Sequence, residues 1–126
     1  YTYGNVDSGL VLFVKEGIVH FEYNYFGNVE SFGKRYKIRA QKPIKVGNNE
    51  ISVIFQKTGK FAGIATLIIN GKETGKIAMP KTIRARMSHE GAGIGRQWSS
   101  PVSLDTVGID QYQGQINKLT IVVHNK

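Results

Sequence analysis

The chain has 126 residues, with 17 lysines and arginines against 9 aspartates and glutamates, a formal net charge of +8 at pH 7, and no cysteine. That length fits one domain able to bury about two thirds of its unfolded surface. The absence of cysteine excludes a disulfide framework, a thiol nucleophile and a thiolate metal site, and it leaves the compartment open.

In chain order, the first two predicted strands are residues 9–15 and 18–26, apolar and aromatic-rich runs hinged at Glu16-Gly17. Leu10, Leu12 and Val14 alternate with Val11, Phe13 and Lys15. Beyond the turn Val19, Phe21, Tyr23 and Tyr25 alternate with His20, Glu22, Asn24 and Phe26, and this period of two predicts a β-hairpin. A third strand is expected over 35–39 and a fourth over 49–57. Residues 61–69 and 72–79 form a second hairpin around Asn70-Gly71, a dipeptide that accepts positive φ at both centres of a type I′ turn. Runs at 82–86, 91–94 and 115–124 bring the expected strands to nine. Pro43 and Pro80 fall at strand borders, where a missing N–H costs no ladder bond. Residues 95–114, which include Trp98, Pro101, Asp105, Asp110 and Tyr112, carry little regular pattern, and a loop of that length is functional or an interface. No window of a dozen residues sustains helical periodicity, so the pattern predicts an all-β sandwich or barrel.

The charge excess concentrates in Lys34, Arg35, Lys37, Arg39, Lys42 and Lys45, with Arg84 and Arg86 as a later pair. Such a cluster suits a polyanion: a sulfated or uronic glycan, a nucleic acid or an anionic lipid surface. A solvated strand face accounts for the same residues, because Lys37 and Arg39 alternate with Tyr36 and Ile38 as a half-buried strand requires. Trp98 and Tyr112, with Tyr1 and Tyr3, lie outside the strongest runs and are candidates for a sugar platform or a docking anchor. The three histidines have no zinc-ligand spacing, and no serine sits in a nucleophile elbow. Gly91, Gly93 and Gly95 give a glycine-rich run with no helix signal after it, so a packed strand explains it better than a phosphate loop.

The segments GLVLFVKEGIVHFEYNYFG, KRYKI, EISVIFQ, LIINGKETGKIAMP, IGRQWSSPVS and QGQINKLTIVV, in that order over residues 8–123, resemble the C-terminal β-sandwich domain of bacterial arylsulfatases. That domain is a relative of the concanavalin A-like lectins and glucanases and of laminin-G-like modules. The resemblance implies an antiparallel, two-sheet, jelly-roll-like sandwich spanning residues 1–126, the C-terminal piece of a longer, secreted or periplasmic protein. It implies a non-catalytic accessory domain whose partner is the N-terminal sulfatase catalytic domain of the same chain. The alternative is a carbohydrate-binding module for anionic or sulfated glycans, with Trp98, Tyr112, Lys34, Arg35, Lys37 and Arg39 as ligand-binding candidates. No nucleic acid partner, signal peptide or membrane span is expected.

The resemblance also fixes which chemistry to look for. A sulfatase nucleophile segment reads Cys/Ser-x-Pro-x-Arg, and Ser99-Ser100-Pro101-Val102-Ser103 has serine where the arginine belongs. Glucanases of the sandwich class need acids two residues apart on one strand, and no two acids here have that spacing. No catalytic residue is therefore assigned to this chain. Laminin-G-like relatives often hold calcium at a sandwich rim, with Glu90, Asp105 and Asp110 as the candidate ligands here. Gln97 stands where the family often has an acid after the glycine matched by Gly95, which weakens the case for a metal, so no cofactor is assigned and calcium is left as the one alternative.

Overall fold

The computed structural model describes residues 1–5, 7–84, 92–96, 100–107, 112 and 114–122. Among these residues eight antiparallel strands form two sheets: β1 (Thr2–Gly4), β2 (Ser8–Lys15), β3 (Ile18–Tyr25), β4 (Lys34–Arg39), β5 (Ile51–Gly59), β6 (Ala62–Ile69), β7 (Lys72–Met79) and β8 (Ala92–Gly93). The larger sheet has the order β4-β3-β2-β1-β8 and the smaller β5-β6-β7. The class is all-β, as the sequence pattern predicts, with one 3-10 turn at Leu104–Thr106 among the described residues.

Both predicted hairpins close through two-residue turns with positive φ at each centre: Glu16 (54°) and Gly17 (78°), then Asn70 (52°) and Gly71 (80°). Left-handed backbone at both positions matches the right-handed twist of the flanking strands, so Lys15 pairs with Ile18 and Ile69 with Lys72. With the turns fixed, the register fixes the faces. Val19, Phe21 and Tyr23 of β3 and Tyr36 and Ile38 of β4 point inward, onto Ala65 and Leu67 of β6 and Met79 of β7. Leu10, Leu12 and Val14 of β2 extend this core at its partly exposed side. The sheets come closest where β7 passes β4. A Cβ on Gly75 would stand 2.8 Å from Ile38 Cγ2, so a larger residue there would push the layers apart.

Two expected strands come out differently, and one strand is added. β1 lies outside the expected runs: its three residues are too few to show a period, yet they pair with both β2 and β8. Thr82 to Arg84 are not strand, because their backbone donors go elsewhere: Thr82 N–H donates to the Phe61 carbonyl at 2.9 Å and Ile83 N–H to the Tyr23 hydroxyl at 2.9 Å. Residues 115–122 alternate like a strand but form no ladder, since alternation selects faces without supplying a partner edge. The remaining residues of those two runs lie outside the described set.

Candidate functional site on the outer face of the larger sheet

The larger sheet has a second face, turned away from the core. Cross-strand register sorts its side chains into rows: Gly9, Asn24 and Arg35; then Val11, Glu22 and Lys37; then Phe13, His20 and Arg39. Thus the basic residues of β4 stand beside the polar residues of β3, every second position of two antiparallel neighbours sharing one face.

Residues 100–107 lie over the first two rows as a strap. Val102 and Ser103 are fully buried and Thr106 is nearly so. The strap is held by polar bonds that reach it from the sheet. The Val102 carbonyl accepts from Arg35 Nη1 at 2.8 Å and from Asn24 Nδ2 at 3.3 Å. The Asp105 carbonyl accepts from Lys15 Nζ at 3.1 Å, and its carboxylate accepts from Lys37 Nζ at 3.2 Å. Within the strap, Ser103 caps the 3-10 turn by accepting from the Asp105 N–H through its hydroxyl.

Beneath the strap lies a buried carboxylate. Glu22 is 2 % exposed and is paired with Arg35 at 3.1 Å, with Lys37 Nζ at 4.0 Å from its other oxygen. Arg35 is thereby committed three times over, to Glu22, to Val102 and to Asn28 Oδ1 at 3.0 Å. Asn24, wholly buried, also accepts from the Gly27 N–H at 2.7 Å. Charges taken out of water need this number of partners to persist.

The strap leaves the third row partly exposed. Phe13 and His20 stack face to face, ring centroids 4.8 Å apart and planes 4° from parallel. Burial holds the His20 imidazole below its ordinary pKa. Nearby Arg39 acts in the same direction, as do Lys15 and Lys37, while Asp105 opposes them.

The candidate residues from sequence therefore divide. Arg35 and Lys37 sit in the network under and beside the strap, whereas Lys34 and Arg39 are exposed. Tyr112 has a different set of neighbours. Its N–H donates to the Gly95 carbonyl, and its ring lines a shallow pocket with Ile94, Arg96, Ile116 and Leu119. Asp105 is on the strap, and among the described residues no group of three or more His, Cys, Asp or Glu side chains converges as a metal site. Trp98, Glu90 and Asp110 lie outside the described residues. Sequence reasoning passed over Glu22, Asn24, Val102 and Ser103. The available signal was His20, Glu22 and Asn24 falling on one face of an otherwise apolar strand, next to a strand whose alternate residues are basic.

Compared with protein-family models, curated proteins and solved structures, the chain matches none.

Proposed function

We propose that the chain is a non-catalytic accessory domain of a bacterial arylsulfatase-type hydrolase, with jelly-roll-like connectivity of the concanavalin A kind, which packs on the catalytic domain and shapes the rim of its substrate cleft. The observation that carries this reading is how much apolar side chain is left exposed. Leu104, Val107, Ile116, Leu119, Ile121 and Val122, in the stretch after residue 100, are each at least two fifths accessible, as are Phe32, Val46, Ile54, Phe55 and Ile94 earlier in the chain. A domain that docks on a larger partner leaves such side chains uncovered when taken by itself. The order of the six sequence segments supplies the identity of that partner. The coding sequence upstream of Tyr1 tests the proposal. A Cys/Ser-x-Pro-x-Arg segment is expected there, and its absence from the adjoining domain overturns the arylsulfatase reading.

A second reading, a binding module for sulfated or otherwise anionic glycans, is favoured by one specific feature. Arg39 stands exposed beside the Phe13–His20 stack with no carboxylate partner among the described residues. The net charge of +8 points the same way.

A further inference from the structure

We infer that the open part of the outer sheet face, the row Phe13, His20 and Arg39 flanked by Lys15 and Lys37, binds the sulfate or carboxylate group of an acidic sugar residue. This inference rests on the glycan-binding reading above and assigns it a site. Pairing places Phe13 opposite His20 and His20 opposite Arg39, so the three side chains rise from β2, β3 and β4 as one row. Lys15 enters from β2 and Lys37 from β4, both with their ammonium groups bonded to Asp105 of the strap. Three cations thus gather around one imidazole against a single facing carboxylate, since Glu22 is buried and held by Arg35.

The stack decides which anion suits the site. Each ring turns one face onto the other, and the ring edges and the imidazole N–H are among the groups left for a ligand. Aromatic edges carry the positive end of the ring quadrupole and imidazole N–H groups donate, so both favour an anionic oxygen. A single-stranded nucleic acid needs free aromatic faces on which bases stack, and here the two rings use a face of each on one another. The guanidinium of Arg39 offers the paired donors that match a sulfate or carboxylate. An anion held there opposes the cations that depress the His20 pKa and raises it.

The test uses the chain with three probes: a short heparin oligosaccharide, a neutral oligosaccharide of equal length and an oligothymidylate, titrated calorimetrically at low salt and at about 0.15 M. The same titrations are run on Arg39→Gln and on Lys57→Gln, which removes the same charge from an exposed residue of β5 in the smaller sheet. The pH midpoint of the His20 ring protons is followed by NMR with and without heparin oligosaccharide. Heparin binding is expected to weaken about tenfold or more in Arg39→Gln and to be unchanged in Lys57→Gln. The His20 midpoint is expected to rise on binding. Equal weakening in both variants, or binding that leaves His20 unmoved, overturns this site while the glycan reading survives. Tighter binding of oligothymidylate replaces the sugar with a nucleic acid, and failure of every probe to bind overturns both the site and the glycan reading.

Discussion

Truncating Arg35 to alanine strips the outer-face network of its central donor. Among the described residues, Glu22, 2 % exposed, would keep only Lys37 at 4.0 Å, and the Val102 carbonyl would keep only Asn24 at 3.3 Å. Removing one member of a buried ion pair costs about 3–5 kcal/mol, because the remaining charge stays desolvated. The Arg35 side chain is 13 % exposed and its bond to Asn28 is at the surface, so the lower end of that range, about 3 kcal/mol, is expected. Set against a total stability of about 5–15 kcal/mol for a domain, that loss displaces the urea midpoint well outside error. Replacing both partners, with Glu22→Leu and Arg35→Met, should recover much of the loss, since no charge is then stranded. A double-mutant cycle on this pair should give a coupling above about 1 kcal/mol. A loss below about 1 kcal/mol for Arg35→Ala, with coupling near zero, would mean that the pair behaves as a solvated surface bridge and that the strap is held by something else.

Gly71→Val should destabilise by at least about 1 kcal/mol in chemical denaturation, because φ is 80° there; nothing lies within 4 Å of the added Cβ, so the cost comes from the backbone alone. An unchanged midpoint would contradict the type I′ turn. Two tyrosines should behave differently. Tyr23→Phe leaves the Ile83 N–H without its acceptor and should lose about 1–2 kcal/mol, whereas the buried Tyr36 hydroxyl makes no well-formed hydrogen bond among the described residues beyond a weak approach to the Lys81 backbone, so Tyr36→Phe should stay within about 1 kcal/mol of neutral. Equal losses at both positions would refute that distinction. His20 gives a pH dependence. Its folded pKa lies below the ordinary histidine value of about 6.5, so the unfolded chain takes up the proton first as pH falls. Stability present above about pH 6.5 therefore declines as the pH drops towards the folded value, and His20→Gln should flatten that slope in a series of urea titrations.

The hairpins were legible in the sequence because two local signals agree, alternation along the strands and, at the turns, Gly17, Asn70 and Gly71, which tolerate positive φ. The core faces followed from the same alternation, Val19, Phe21 and Tyr23 being buried and Tyr36 and Ile38 with them. What alternation cannot report is the partner of a face. It marked Lys37 and Arg39 as outward but said nothing of the strap that binds Lys37 through Asp105, a contact 68 residues distant in the chain. Buried Glu22 and Asn24 were hidden for the same reason: a polar residue on an outward face reads as solvated until a distant segment is known to cover it. Residues 115–122 failed in the other direction, carrying a strand's pattern without a ladder to join.

The central claim is that this chain supports a hydrolase without being one. Three proteins decide it, assayed on 4-nitrophenyl sulfate with and without calcium: the upstream coding region joined to residues 1–126, the upstream region alone, and residues 1–126 alone. The account predicts turnover by the joined protein, reduced stability or turnover when residues 1–126 are removed, and none from residues 1–126 alone. Reproducible turnover by residues 1–126 alone, above an unrelated control protein, would contradict it.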